Sequence, residues 1–144
     1  MLGLIQRVSA AQVVVEGVSV GAIDAGLLLL LGVEKGDNQK SRDKLLNKVI
    51  NYRVFGDDKG HMNLSLLDTA GELLVVSQFT LAANTNKGLR PSFSSAAEPA
   101  LAERLYDEFV QAASILVPTR TGQFGADMKV TLVNDGPVTF LLKA

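Results

Sequence analysis

An uninterrupted apolar run, "GLLLLLGV" from Gly26 to Val33, constrains the fold more than any other feature of the chain. A strand on a protein surface alternates apolar and polar residues, whereas this run has no polar side chain on either face. It is far too short to cross a bilayer. The run therefore predicts a strand covered on both faces by other layers of one domain, and it gives no reason to expect a membrane as partner.

Other segments have the pattern of strands. "LIQRVSAAQVVVEG" and "VSVGAI" predict two strands with a turn at Glu16 and Gly17. The segment Phe55–Leu81 predicts a hairpin with its bend at Asp68–Gly71 and a buried strand over Glu72–Leu81. Near the end of the chain, "MKVTLVN" alternates cleanly and "PVTFLL" follows after a Gly–Pro break.

Two segments have helical spacing. The first, Asp37–Phe55, carries apolar residues three and four positions apart, with Asp37 or Asn38 as its cap and Gly56 after its end. The second begins at Pro99 and continues to Leu116. The 144 residues suit one domain, because no repeat or linker interrupts them. We therefore expect a single α+β domain with a mainly antiparallel sheet packed against two helices.

Composition narrows the chemistry. The chain has no cysteine, which excludes disulfides, thiolate zinc sites and cysteine nucleophiles. With one histidine, His61, neither a two-histidine metal centre nor a Ser-His-Asp triad is expected, so the prediction is no metal and no cofactor. A net charge of −1 argues against a DNA-coating protein. The N-terminal segment lacks the pattern of a secretory signal, which predicts a cytoplasmic protein.

Most polar groups outside the strands fit solvated positions. His61, Asp57 and Asp58 lie beside a turn, where exposure to solvent is the default. The aperiodic segment Ala82–Pro99 is long for a compact domain, and loops of this length are often functional. Its two cations, Lys87 and Arg90, fit phosphate contacts and simple solvation equally well.

Two short segments stand out, but their pattern alone leaves the function open. "SQFTL" at Ser77–Leu81 places hydroxyl and amide groups around one aromatic residue, although it also fits a plain strand end. "NDGP" at Asn134–Pro137 interrupts strand-forming residues, and a plain turn explains it as well. A site made of these residues would work through hydroxyls, backbone groups or the substrate itself.

Together, these segments resemble the D-aminoacyl-tRNA deacylases, a family of proofreading hydrolases. The resemblance covers essentially the whole chain. Its two signatures, SQFTL and NxGPVT, are intact at Ser77–Leu81 and Asn134–Thr139. It is supported by "IQRV", "GLLLLLGV", "HMNLSL", "KGLRPSF" and "TGQFGADMKV".

The resemblance implies a barrel-like homodimer that hydrolyses the ester at the 3′ end of D-aminoacyl-tRNA. The bond between Gly136 and Pro137 would be cis, and its carbonyls would enter the partner's active site to reject L-residues. Glycine has no side chain to reject, so glycyl-tRNA(Ala) would also be a substrate. The implied substrate-binding residues are Asn134, Gly136, Pro137, Val138, Thr139, Phe124 and Met128.

The implied catalytic residues are Ser77, Gln78, Phe79 and Thr80. Phe79 and Phe124 are candidates for packing on the terminal base, and Met128 fits the pocket and the core equally well. Backbone N–H groups at Gln78–Thr80 are candidates for an oxyanion hole. Thr80 is either a nucleophile or a positioning group, and we favour the second, with the ribose 2′-hydroxyl of the substrate activating water.

The sequence leaves two alternative functions open. One is a non-catalytic module that binds RNA ends, and the other is an esterase for small molecules. The loop also departs from the family pattern, because Asn84 and Asn86 make it less charged than in many relatives. Leu2 and Gly3 stand in a segment that is often basic. Neither departure touches the two signatures.

Overall fold

A computed structural model describes every residue from Met1 to Ala144. The strands are β1 (Leu2–Val15), β2 (Val18–Ile23), β3 (Gly26–Gly32), β4 (Phe55–Gly56), β5 (Met62–Leu64), β6 (Glu72–Ser77), β7 (Thr119–Thr121) and β8 (Lys129–Lys143). The helices are α1 (Gln39–Asn51), α2 (Leu66–Thr69), a 3-10 helix (Phe79–Ala82) and α3 (Pro99–Leu116). None of the helices has the length and hydropathy needed to cross a membrane.

The main sheet is mixed, which corrects the expectation of a mainly antiparallel one. Its strand order is β2-β1-β3-β6-β7, and β8 pairs with β1. β1 is antiparallel to β2, β3 and β8, whereas β3–β6 and β6–β7 are parallel pairs. The cause is the connections: α1 and α2 lie between β3 and β6, and α3 lies between β6 and β7. Helical crossovers of this kind join parallel neighbours.

The sheet curls into a nearly closed barrel, because β2 approaches β7 from the far end of the strand order. The contact is closest at Gly21, where an added Cβ would lie 2.1 Å from the carbonyl oxygen of Thr121. Only glycine allows the two backbones to come this near. The barrel-like shape that the resemblance implied is therefore present.

The strand β3 is covered on both faces, as its sequence predicted. Leu27, Leu29 and Leu31 belong to the larger core, which lies between the sheet and the helices. Leu28 points the other way, into a second core inside the barrel. The parallel neighbour β6 divides its side chains in the same manner, with Leu73 in one core and Leu74 in the other. These two strands form the buried centre of the molecule.

The two long helices were predicted correctly, with one difference at an end. Asn38 caps α1 by accepting hydrogen bonds from the backbone N–H groups of Lys40 and Ser41. The helix ends at Asn51, not at Phe55, because Tyr52 has an extended backbone with a ψ of 126°. The bounds of α3 agree with the sequence prediction at both ends.

The segment between α1 and β6 is built differently from the single hairpin that we expected. β4 and β5 form a small hairpin of their own, and α2 follows as a third, short helix. Ser65 and Asp68 cap α2 reciprocally, and hydrogen bonds from the backbone and the hydroxyl of Ser65 lower the pKa of Asp68. Asp68 and Thr69 are thus helical, and the bend falls at Ala70 and Gly71.

Candidate active site

A cavity of about 490 Å³ opens where the carboxyl ends of β3 and β6 meet the start of α3. Parallel strands end at the same edge of a sheet, which is where ligand sites form in such sheets. The lining is mostly apolar, with a few polar groups at one end. The lining residues that the sequence singled out are Ser77, Gln78, Phe79, Phe124 and Met128.

The first signature leaves the strand earlier than predicted. β6 ends at Ser77, and the residues from Phe79 onwards form the 3-10 helix, so the expected strand as far as Leu81 was wrong. The backbone N–H of Gln78 still donates to the carbonyl of Leu31 at 2.8 Å. The backbone of Gln78 then turns, with a φ of −142° and a ψ of 79°. This turn ends the regular alternation and puts Phe79 at the mouth of the cavity.

Thr80 lies beside the cavity but does not line it. Its side chain is exposed, and its hydroxyl oxygen accepts a hydrogen bond from the side-chain amide of Gln78. His61 lies exposed in the turn between β4 and β5 and lines no part of the cavity. A histidine base for the Thr80 hydroxyl is therefore not supplied within this chain. No three acidic or histidine side chains are grouped closely enough to hold a metal ion.

The helix α3 contributes Tyr106 to the lining of the cavity. The sequence reasoning missed this residue. Its hydroxyl donates to the carbonyl of Val75 at 3.0 Å, and its ring lies 5.7 Å from the ring of Phe124. Burial raises the pKa of Tyr106 to about 12, and the charge of Asp107 adds to the shift. The tyrosine joins α3 to the end of β6 and supports Phe124. In the sequence, only its place on the apolar face of α3 marks it.

The second signature lies on β8, away from the cavity of its own chain. β8 pairs with β1 at both ends of this signature: Asn134 pairs with Val8, and Thr139 pairs with Gln6. Only Arg7 lies between these pairs on β1, whereas four residues, Asp135–Val138, lie between them on β8. The extra residues form a bulge from a strand that is otherwise continuous. The expected break in the strand is thus a looped-out segment.

Side chains on both strands hold this bulge. The Arg7 Nε donates to the carbonyl of Asp135 at 2.8 Å, and its Nη1 donates to the carbonyl of Val54 at 2.6 Å. The Asn134 Oδ1 accepts from the backbone N–H of Val138 at 2.7 Å, and its Nδ2 donates to the Thr139 hydroxyl at 2.9 Å. Arg7 is a second residue that the sequence reasoning missed, although it lies in the quoted "IQRV".

The tip of the bulge is exposed, and its end is buried. The peptide bond between Gly136 and Pro137 is cis. Asp135, Gly136 and Pro137 are exposed, whereas Val138 is buried in the larger core. Gly136 has a φ of +147°, which L-residues rarely adopt. The bulge therefore exposes its tip to solvent, with the buried Val138 as its anchor.

Comparisons with known proteins point to one family. A family model described as D-Tyr-tRNA(Tyr) deacylase matches residues 4–143. Proteins named D-aminoacyl-tRNA deacylase are 65% identical over 144 residues in Aeromonas hydrophila and 62% identical over 143 residues in Glaesserella parasuis. A third, from Haemophilus influenzae, is 60% identical over 142 residues. Each alignment covers 99% of both chains.

Two solved structures share the fold. One, titled c-Myc DNA Unwinding Element Binding Protein, superposes with a TM-score of 0.95 at 39% identity and covers 100% of this chain and 99% of its own. The other is titled as a probable eukaryotic D-amino acid tRNA deacylase. Its TM-score is 0.82 at 14% identity, with 99% of this chain and 98% of its own covered. At that identity, the second likeness concerns the fold alone.

Proposed function

Because this chain belongs to the D-aminoacyl-tRNA deacylase family, whose members hydrolyse aminoacyl-tRNA esters, we propose that it distinguishes D- from L-residues by main-chain carbonyls supplied by a second copy. Water attacks the ester carbonyl, the bond to the ribose oxygen breaks, and the products are a free D-amino acid and tRNA. A cytoplasmic location is proposed on the same ground, since charged tRNA is used there.

The observation that carries the proposal is the position of the bulge. Asp135, Gly136 and Pro137 are exposed, and they line no part of the cavity in their own chain. A filter that acts on a ligand in the cavity must therefore come from another copy. The same strand exposes apolar side chains, with Val133 57% and Leu141 61% accessible, and these support an interface along β8. In a two-fold dimer, each bulge would serve the partner's cavity.

Such a filter would work by steric exclusion. If the carbonyls around Gly136 hold the α-ammonium of the substrate, the configuration at Cα decides where the side chain points. A D-side chain would point to solvent, whereas an L-side chain would meet the Gly136–Pro137 backbone. Discrimination by a clash needs no attraction to the favoured form. Glycine has no side chain to clash, so glycyl-tRNA(Ala) is a proposed second substrate.

The remaining groups of the cavity suit the terminal adenosine and the ester. Phe79 and Phe124 provide aromatic faces for the base, and Met128 lines the same cavity. Gln78 already uses its backbone N–H, so Phe79 and Thr80 are the better donors to a developing oxyanion. They open the 3-10 helix, and the first N–H groups of a helix lack intrahelical acceptors.

We propose that the substrate's own 2′-hydroxyl activates water and that Thr80 positions the ester. The hydroxyl of Thr80 accepts from Gln78, and the chain's histidine lies elsewhere, so this chain places no histidine base beside Thr80. Replacing the terminal 2′-hydroxyl by hydrogen should abolish most turnover, whereas Thr80→Ala should leave measurable activity. Complete loss with Thr80→Ala, together with an acyl-enzyme trapped in the wild type, would establish the nucleophilic alternative instead.

The central experiment compares hydrolysis of D-tyrosyl-tRNA, L-tyrosyl-tRNA and glycyl-tRNA(Ala). We expect rapid release of D-tyrosine and glycine and no release of L-tyrosine. Equal cleavage of the two tyrosyl forms would contradict the filter. Binding of tRNA without cleavage would favour the non-catalytic module, and cleavage of simple esters would favour the small-molecule esterase.

A mixing experiment tests the second copy. Thr80→Ala impairs the cavity and Gly136→Ala impairs the bulge, so each homodimer has only defective sites. A mixed dimer would contain one intact site, with its cavity from one chain and its bulge from the other. Activity should therefore rise when the two variants are unfolded and refolded together. If mixing gives only the average of the separate activities, the bulge does not act across subunits.

A further inference from the structure

We propose that the loop over residues 83–97 is a second RNA contact surface, which binds the single-stranded 3′ end of the substrate on the approach to the cavity. In this inference, which rests on the proposed function, Lys87 and Arg90 bind phosphates, and a base before the terminal one stacks at Phe93. The loop would then recognise the polynucleotide, whereas the cavity recognises the aminoacyl-adenosine.

The loop is ordered by its own hydrogen bonds. The backbones of Asn84 and Ser92 exchange N–H to carbonyl bonds of 2.7 and 3.1 Å. The Asn84 side chain accepts from the backbone N–H of Asn86 at 2.9 Å, and the Ser95 hydroxyl donates to the carbonyl of Ala82. The base of the loop is joined to the end of β3 through Ala97, whose N–H donates to the carbonyl of Val33 at 3.0 Å. A preformed loop binds with a smaller entropic cost than a flexible one.

The charge of the loop differs from that of the whole chain. Residues 83–97 include Lys87 and Arg90 and no acidic residue, although the protein has a net charge of −1. Both cations are exposed, and neither takes part in an ion pair. Cations without acidic partners on an ordered loop suit a polyanion, and single-stranded RNA presents one phosphate for each nucleotide.

The aromatic side chains connect the loop to the cavity. The rings of Phe79 and Phe93 lie 5.1 Å apart and are tilted by 48°. Phe79 lines the cavity and is 59% accessible, while Phe93 lies beyond it and is 42% accessible. Leu89 at the loop tip is completely exposed. Aromatic side chains and unpaired cations in one exposed segment are the combination that holds bases and phosphates together in single-strand binding proteins.

The experiment separates recognition of the polynucleotide from recognition of the ester. One substrate is D-tyrosyl-tRNA, and the other is D-tyrosyl-adenosine, which has the ester and the terminal nucleoside but no phosphate. For Lys87→Gln/Arg90→Gln, we expect kcat/KM on the tRNA to fall about tenfold at low salt. The slope of log kcat/KM against log salt should become shallower by about 0.7 for each lost phosphate contact. Activity on D-tyrosyl-adenosine should stay within about twofold of wild type.

A second variant tests the stacking. Phe93→Ala should lower kcat/KM on the tRNA about tenfold through KM, since one base–aromatic stack is lost. Its salt slope should remain that of the wild type. The matched control is Lys59→Gln, which removes an exposed lysine from the turn between β4 and β5, outside the loop and the cavity. Binding of a short labelled single-stranded RNA, followed by fluorescence anisotropy, gives the same comparison without catalysis.

The results that would overturn the inference are distinct from those that would overturn the proposed function. Equal losses on both substrates would make the loop a structural support of the cavity. Wild-type behaviour on the tRNA would remove the loop from recognition altogether. Dissociation of a dimer by these variants would assign the loop to contact with a second copy. By contrast, a wild-type protein that cleaves neither D-substrate, yet binds RNA through the loop, would end only the proposed function.

Discussion

The cavity wall and the β8 bulge are held in opposite ways. The wall grows from β3 and β6, where Leu73, Leu74 and Val75 are completely buried, so it is fixed by core packing shared among many side chains. The bulge is exposed over Asp135–Pro137 and is held by a few hydrogen bonds: Arg7 donates to the carbonyl of Asp135, and the Asn134 side chain accepts from the backbone N–H of Val138. We therefore expect a single substitution to change the geometry of the bulge more than that of the wall.

The largest effect is expected at Gly136. A Cβ at this position would lie 2.6 Å from the Val138 Cγ2 and 2.9 Å from its backbone nitrogen, at a φ of +147°. Gly136→Ala should therefore displace the main chain of the bulge. We expect kcat/KM on D-tyrosyl-tRNA to fall about a hundredfold, the order of loss that a displacement of about 1 Å causes in an active site.

The control for that substitution is Gly56→Ala, since a Cβ at Gly56 meets no atom within 4 Å. It should keep wild-type activity and wild-type unfolding by urea. If Gly136→Ala retains both its rate and its selectivity for D-residues, the bulge takes no part in the site, and the contrast between the two regions has no functional meaning.

An intermediate effect is expected at Arg7. Arg7→Gln removes the hydrogen bonds to the carbonyls of Asp135 and Val54, which lowers the free energy of unfolding by about 1–2 kcal/mol. Since the bulge would loosen, kcat/KM should fall about tenfold. Urea unfolding and the ratio of D- to L-tyrosyl-tRNA hydrolysis measure the two losses.

Arg7→Lys distinguishes charge from geometry. Lysine keeps the positive charge, but it lacks the planar guanidinium that reaches two carbonyls. We expect it to behave like Arg7→Gln. Arg53→Gln is the matched surface control, because Arg53 makes one long hydrogen bond of 3.4 Å to Asn63. Full rescue by lysine would refute the geometric role.

The smallest effect is expected at Tyr106, which lines the cavity from α3. Tyr106→Phe removes the hydrogen bond to Val75, which costs about 1 kcal/mol of stability, while the packing against Phe124 remains. Activity should change by less than about threefold. A loss of activity in Tyr106→Phe as large as that in Gly136→Ala would contradict the expected difference between the two regions.

The same tyrosine gives a pH signature. Its pKa is raised to about 12 in the folded protein, mainly by burial, so the native state keeps the proton longer than the unfolded chain does. The stability that this retained proton contributes is complete below about pH 10, and it is lost as the pH rises towards 12. In Tyr106→Phe, this alkaline loss should be smaller. Urea unfolding at a series of alkaline pH values measures it, and an unchanged slope would contradict the assignment.

Much of the fold could be predicted from local sequence. The apolar run of β3, the helical spacing of α3 and the cap at Asn38 each depend on residues close together in the chain. The parallel pairing of β6 with β3 could not be predicted in this way, because it depends on a crossover through α1 and α2. Likewise, the end of α1 at Asn51 could not be predicted from the helical spacing, which continues to Val54 although the backbone of Tyr52 is already extended.

The candidate site was less accessible to sequence reasoning. Resemblance pointed to Ser77–Thr80, Phe124 and Met128, and the structure brings all of these except Thr80 into the lining of one cavity. Tyr106 and Arg7 were missed because their importance comes from partners 31 and 128 positions away. Pattern alone has no access to such pairs.

The unequal pairing of β1 and β8 has a consequence for engineering and for evolutionary change. Because β8 pairs again with β1 from Thr139 onwards, in a shifted register, we expect insertions into or deletions from Asp135–Pro137 to leave the paired strand on either side in place. The length of the bulge should thus be free to vary while the barrel that supports it stays the same. A library that varies it should yield folded proteins with altered stereochemical preference, in which substrate choice changes independently of the scaffold.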